Sequence, residues 1–374
     1  MQILLTLFFI NISLVYSQYS WERSSSESVL QEGVSALYNY EFNKAIALLD
    51  SAKLLDTNHP AIPFIKLSAN WLKSQSEEGY SKSYETINLE VERLIPIYNY
   101  YIDQFPNDPE YLLYLGSTYG MRARTALSSK EWLSAFLSGY QGLRYILKAK
   151  ALDDKLIDVY MPIGLMEYFA CLSLAPIKWG AGILGISSEC SIGLSHLENA
   201  ADKSHYSWAE ASNVLAYAYL HVERDYEKAN IYISRLVDAF PNHPYFIFLK
   251  AELLVKTFQF NELDKIGKIL NKFVTAGSPI DRAECRLKYN YVLSIQDFYK
   301  DRYGEALIKT DFILNNYTME FDWLLGFTYF LRGEVYEMMG DLNKAKVNYE
   351  MVLDMDSYYP EVELAREKLL NLDK

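Results

Sequence analysis

The sequence predicts an all-α protein, an α-solenoid of about eight antiparallel helix pairs closed by a C-terminal capping helix. Three observations carry that prediction. The first is the stretch from Gly333 to Pro360, which reads Gly333-x-x-Tyr336, Gly340-Asp341, then Leu342-x-x-Ala345-x-x-x-Tyr349-x-x-Val352. Gly333 and Ala345 are small enough to let two antiparallel helices approach closely. Tyr336 and Tyr349 are expected to fill the space between them, and Gly340-Asp341 to turn the corner. The second is a bulky residue followed three positions later by a small one: Phe42/Ala45, Trp132/Ala135, Tyr226/Ala229, Tyr303/Ala306 and Leu342/Ala345, with Phe260/Leu263 as a weaker copy. Residues at i and i+3 share one helix face, so each pair sets a knob beside a hole. The third is a turn ending in proline, at Asn58-His59-Pro60, Asn107-Asp108-Pro109, Asn242-His243-Pro244, Ser278-Pro279 and Tyr359-Pro360. Proline suits the first helical turn, where its missing N–H costs nothing, and Asn or Asp before it favours the turn.

The proline spacings set the order of the elements. Pro60 to Pro109 is 49 residues and Pro244 to Pro279 is 35, each one hairpin; Pro109 to Pro244 is 135 and Pro279 to Pro360 is 81, close to three and two. The predicted helices pair as 24–38 with 41–55, 60–76 with 81–104, 108–128 with 131–152, and 155–175 with 187–203. They continue as 205–223 with 226–239, 244–257 with 260–275, 279–299 with 302–316, and 320–339 with 342–356. A last helix over 360–372 is rich in Glu, Lys and Arg and reads as a solvent-facing cap. Residues 18–374 are thus expected to form one continuous domain, with longer, irregular repeats over 60–203 and more regular ones over 205–357.

The Gly333–Pro360 pattern resembles the tetratricopeptide repeat (TPR). The resemblance is strongest at 320–357, good at 27–60 and 212–244, fair at 290–318, and weak elsewhere. A central block has its own character: Pro162-Ile163-Gly164-Leu165, Leu174-Ala175-Pro176, a Gly-rich connector, and Gly185-Ile186-Ser187-Ser188-Glu189-Cys190-Ser191-Ile192-Gly193-Leu194-Ser195-His196-Leu197. It is similar to the centre of a TPR-containing family of eukaryotic inclusion-body-clearance and outer-membrane-annotated proteins. Gly185, Ser187, Gly193, Leu194 and Leu197 match that family's pattern, while Ile186, Ser188 and Glu189 depart from it. The resemblance implies a binding role and brings no catalytic residue with it.

Composition narrows the classes. The 374 residues are 50% hydrophobic and 22% charged, which suits a folded chain. A net charge of −12 lacks the positive stripe that nucleic acid requires. Residues 1–17 are apolar over Ile3 to Val15 apart from Thr6, Asn11 and Ser13, and Val15-Tyr16-Ser17 offers a cleavage site before Gln18. This reads as a signal peptide, although no Lys or Arg precedes the apolar run. The mature chain is then exported: periplasmic or outer-membrane-associated in a bacterium, secretory otherwise. No Cys follows the cleavage site, which disfavours a lipid anchor. Cys171, Cys190 and Cys285 are odd in number and widely spaced, so they read first as buried free thiols. A Cys171–Cys190 bridge is the alternative. Asn316-Tyr317-Thr318 is a glycosylation sequon, meaningful only in a eukaryotic secretory pathway.

Motifs of chemistry are weak. Gly180-x-Gly182-x-x-Gly185 fits the dinucleotide-binding spacing, but no β-rich segment surrounds it, so no cofactor is expected. The five histidines are scattered, with His59 and His243 in equivalent turns, and give no metal-ligand set. No Ser or Cys sits in a nucleophile motif, and no catalytic residue is assigned. Val159 to Ile186 carries only Glu167 and Lys178 as charges. Buried core is the expectation there, with peripheral membrane contact through 159–186 as the alternative.

Function is therefore expected in binding. By register, the groove residues are Leu30, Val34, Leu37 and Tyr38 near the start, Val214, Ala218 and His221 in the middle, and Phe327, Phe330, Glu334, Glu337 and Met338 at the end. They lack the Lys/Asn/Arg set that grips a C-terminal carboxylate. Either a protein partner or peptide docks there, or the chain's own helices fill the space. The 32 tyrosines raise the alternative of an envelope-associated carbohydrate-binding protein that uses exposed Tyr and Trp as stacking platforms.

Overall fold

Helical hairpins follow one another along the chain in the computed structural model. It describes residues 24–173, 178, 181–182, 185–355 and 360–372. The predicted signal peptide lies outside the described residues, as do Leu174, Ala175, Pro176, Gly180 and Tyr359 of the motifs above.

The first unit runs to Leu215. It contains α1 (Ser24–Tyr38), α2 (Phe42–Leu55), α3 (Ala61–Glu78), α4 (Tyr80–Gln104), α5 (Pro109–Ser128), α6 (Trp132–Leu152), α7 (Tyr160–Leu172) and α8 (Cys190–Lys203). Helix α9 (Trp208–Tyr217) carries the chain on. The second unit, from Ala216, contains a π-helical turn (Ala218–Val222), α10 (Tyr226–Ala239), α11 (Pro244–Lys256), α12 (Phe260–Thr275) and α13 (Pro279–Tyr299). It ends with α14 (Tyr303–Asn315), α15 (Trp323–Met338), α16 (Leu342–Leu353) and α17 (Pro360–Leu372). The structure divides into these two compact units between Leu215 and Ala216.

Five of the corners inside the hairpins share one geometry. Tyr40, Lys130, Phe258, Asp301 and Gly340 all have positive φ, between 55 and 78°. In each, the N–H of that residue donates three residues back and the next N–H donates five residues back, as in Lys130 to Leu127 and Glu131 to Ala126. This pair of bonds is the Schellman closure, which satisfies the last carbonyls of the outgoing helix. Only the last copy uses glycine. The predicted small residues follow at the fourth position of the returning helix: Ala45, Ala135, Ala229, Ala306 and Ala345 are all buried, as is Leu263.

The predicted proline starts also appear. Pro109, Pro244 and Pro279 occupy the first turns of their helices. Asp108 caps α5 by accepting from Glu110 N at 2.9 Å, and Ser278 caps α13 by accepting from Asp281 N at 3.0 Å. Each cap satisfies an N–H that the helix itself leaves open.

The central block is a close helix crossing. A Cβ on Gly164 would lie 2.9 Å from Gly193 O, and one on Gly193 would lie 2.9 Å from Tyr168 Cα, so only glycine fits either side. Cys171 of α7 and Cys190 of α8 form a disulfide across 5.2 Å between Cα atoms. This corrects the free-thiol reading for those two residues, and the physical reason is the glycine crossing, which brings the helices within bridging reach. Cys285 is free and buried. The sparse charge of this region reflects burial of Met161, Ile163, Leu165 and Tyr168 in α7. Its buried Glu167 meets His196 Nδ1 at 2.5 Å.

Candidate functional site

The inner face of α15 places Phe327, Phe330, Leu331 and Glu334 along one stripe, the i, i+3, i+4, i+7 spacing of a single helix face. In the second unit this stripe borders a cavity of about 340 Å³. Tyr291, Ile295, Phe298 and Tyr299 of α13 form another wall. His221 comes from the π-helical turn, where Glu223 N donates to Ala218 O at 2.9 Å. One extra residue in that turn rotates the helix face, and such insertions recur at functional sites. Floor residues His221, Tyr291 and Phe327 are buried, while Arg224 and Glu367 at the rim are exposed.

The remaining wall is α17. Glu361, Leu364, Glu367 and Lys368 line the cavity, and Glu361, Val362 and Ala365 are buried. The last helix was expected to face solvent as a cap; instead its first turns pack inward. Its Glu, Lys and Arg content is confined to the outer face and to the cavity.

Charges in the cavity are organised around Lys256 of α11. Its Nζ lies 2.8 Å from Glu252 Oε1, with Glu252 fully buried. His221 Nε2 stands 3.6 Å from Glu252 Oε2. Burial pushes the Glu252 carboxyl up, only partly offset by Lys256. Burial pushes His221 well down, with Lys256 and Arg224 adding to it, so the imidazole is neutral. Burial pushes Glu361 up to about 7, against the pull of Lys256. Glu334 is also raised by burial. For Lys256 itself burial acts downward, but Glu252 and Glu361 outweigh it and the ammonium is held above its usual range.

The residues predicted for the groove fall into three groups. His221, Phe327, Phe330 and Glu334 meet at the cavity. Leu30, Val34, Leu37 and Tyr38 in α1 and Val214 in α9 are buried in the first unit, and Ala218 is buried in the π-helical turn. The first five belong to the core of the first unit, where Tyr38 Oη donates to Glu210 Oε1 at 2.8 Å. Glu337 accepts from Tyr349 Oη at 2.7 Å and Lys368 Nζ at 2.9 Å, and Met338 is exposed. Sequence reasoning missed Glu252, Lys256 and Glu361. A signal for the first two was present: Glu252 and Lys256 stand four apart in α11, on either side of Leu253, Leu254 and Val255, the spacing of a helical ion pair.

Many tyrosines act as packing knobs. Tyr38, Tyr98, Tyr114, Tyr168, Tyr206 and Tyr349 are among the largest fully buried side chains, which removes them as sugar platforms. No group of three or more His, Cys, Asp or Glu side chains suited to a metal ion occurs among the described residues. Among them, no helix is long and apolar enough to cross a membrane.

No family model matches the chain, and no curated protein matches it. Solved structures do align with it. A tetratricopeptide repeat protein from Parabacteroides merdae is 10% identical with a TM-score of 0.26, covering 94% of this chain and 99% of that one. Yeast Tom70 is 10% identical with a TM-score of 0.29, covering 93% and 96%. The TPR domain of P58(IPK) is 14% identical with a TM-score of 0.25, covering 94% and 98%. In the chain's last hairpin, Gly333 on one helix lies under the aromatic ring of Tyr349 on the next.

Proposed function

We propose that the chain is an exported, non-enzymatic TPR-like scaffold that receives a segment of a protein partner in the cavity of its second unit. The observation that carries this reading is the cavity itself, with an aromatic floor, charged groups at defined points and an exposed rim. Concave apolar sites with a few placed polar groups are where ligands bind. Export is supported by the apolar residues 1–17 and by the Cys171–Cys190 bridge, since disulfides persist in oxidising compartments.

The test is a variant that fills the cavity. Leu364→Trp places an indole in the space beside Phe330 and Glu334. Partners recovered with the full chain from its native envelope, identified by cross-linking and mass spectrometry, are expected to be lost with Leu364→Trp while the circular dichroism spectrum is unchanged. Equal recovery by both proteins overturns the reading. A glycan array read in parallel decides against it if a sugar binds and the captured proteins do not.

A further inference from the structure

We infer that the cavity takes a cationic side chain from the partner protein, the ammonium of a lysine or the guanidinium of an arginine, with Glu361 and Glu334 as its counter-charges. The inference rests on the reading of the cavity as the binding site and adds the chemistry of what enters it.

Charge balance is the first argument. The carboxylates lining the cavity are Glu334, Glu361 and Glu367; the cations are Arg224, Lys256 and Lys368. Two of those cations already have partners. Lys256 bridges to Glu252 at 2.8 Å, and Lys368 bridges to Glu337 at 2.9 Å. Three carboxyl groups are left facing Arg224, which lies exposed at the rim; burial pushes Glu334 and Glu361 up, and an entering cation would hold both in their charged form. His221 is neutral and adds no positive charge.

The second argument is an unsatisfied acceptor. Glu361 is only 8% exposed, lines the cavity, and its Oε2 has no hydrogen-bond partner. A buried carboxylate oxygen left unpaired costs free energy that a donor entering the cavity would recover. Ammonium and guanidinium groups carry donors and no acceptor, so they match this atom and Glu334 together.

The third argument is the lining. Tyr291, Phe298, Tyr299, Phe327 and Phe330 present aromatic rings around the same space. Lys256 Nζ already lies 5.9 Å from the Phe327 ring centroid, which shows that a cation is accommodated on this floor. Aromatic faces attract cations and also cover the methylene stem of a long side chain. An anion would meet three carboxylates here, and a purely apolar group would leave Glu361 unpaired.

The probes are the N-acetyl methylamides of lysine, arginine, norleucine and glutamate, titrated into the full chain by ligand-observed NMR. The two cations are expected to saturate with affinity about tenfold above norleucine, the equivalent of ~1.4 kcal/mol. Glutamate is expected not to bind. The isosteric Glu361→Gln variant should lower affinity for the cations about tenfold and leave norleucine unchanged. Equal binding of lysine and norleucine, preference for glutamate, or unaltered cation affinity in Glu361→Gln each overturns the inference. If norleucine or glutamate binds at least as tightly as lysine and Leu364→Trp abolishes that binding, the cavity reading stands and the cation assignment falls. If no probe saturates and Leu364→Trp keeps its partners, both fall.

Discussion

Gly333 of α15 lies beneath the ring of Tyr349 of α16, and a Cβ there would stand 2.6 Å from Tyr349 Cδ1. Tyr349 is fully buried, with its hydroxyl fixed on Glu337, so the ring has nowhere to retreat.

Gly333→Ala should therefore destabilise the second unit by about 1–3 kcal/mol, the usual cost of overpacking. Gly267, in the middle of α12, is the control. Its added Cβ would meet only Tyr289 Cε2 at 3.9 Å, so Gly267→Ala should stabilise by about 0.5–1 kcal/mol through helix propensity. Hydrogen exchange of α15 and α12 amides reads the two effects separately. Equal signs for the two substitutions would defeat the packing argument.

That hairpin also shows where sequence reading reaches its limit. The small–aromatic pairing of Gly333 with Tyr349 was legible because it is local and chemically distinctive. Tyr336 was assigned to the same interface, yet it is half-buried at the surface, with Arg332 and Lys344 set against its ring. The Schellman corners were legible only at Gly340. Elsewhere Tyr40, Lys130, Phe258 and Asp301 adopt positive φ, a conformation their side chains do not advertise. Of the candidate site, α15 supplied Phe327, Phe330 and Glu334 through its own register. Glu361 escaped because an acidic residue after Pro360 reads as an ordinary first-turn charge; its burial depends on where α17 docks, which no local pattern encodes.

The disulfide yields a prediction in labelling chemistry. Unfolded without reductant, the chain should expose a single alkylatable thiol, Cys285; after reduction all three cysteines should react. In the folded protein Cys285 should label slowly, because burial pushes its thiol up to about 12 and leaves little thiolate at neutral pH. Reduction should also destabilise the α7–α8 crossing by roughly 3 kcal/mol, the closure entropy of a loop of this size. Intact-mass spectrometry checks the labelling. Three reactive thiols without reductant would refute the bridge.

In the first unit, Glu210 provides a pH test. Burial pushes its carboxyl up to about 8 from an ordinary 4.5, although Tyr38 and Asn213 hydrogen bonds pull it back. The folded carboxyl then keeps its proton where the unfolded one has lost it. Stability from this group is present in full below 4.5 and falls as pH rises toward 8. Glu210→Gln keeps an acceptor for Tyr38 and removes the titration. It should match the parent near pH 4.5 and exceed it near pH 8, by on the order of 2–4 kcal/mol at ~1.4 kcal/mol per pKa unit. Urea denaturation across that range decides it; a difference independent of pH would rule out Glu210 as the cause.

The Lys256–Glu252 pair gives the last test, and it bears on the cavity. Glu252 is fully buried, so Lys256→Met strands its charge and should cost about 3–5 kcal/mol. Lys256→Met combined with Glu252→Gln should cost less than Lys256→Met alone, because no uncompensated carboxyl is left. Local opening of α11 by hydrogen exchange follows this without assuming that the two units unfold together. The double variant also removes one ammonium and one carboxyl, so the excess of negative charge facing the cavity is preserved. Its affinity for the lysine probe should then stay within about threefold of the parent, a difference near RT. Additive costs for the two substitutions would show that the pair is not an energetic unit. A large loss of lysine binding in the folded double variant would show instead that Lys256 positions the cation site, and that Glu361 and Glu334 do not suffice to hold it.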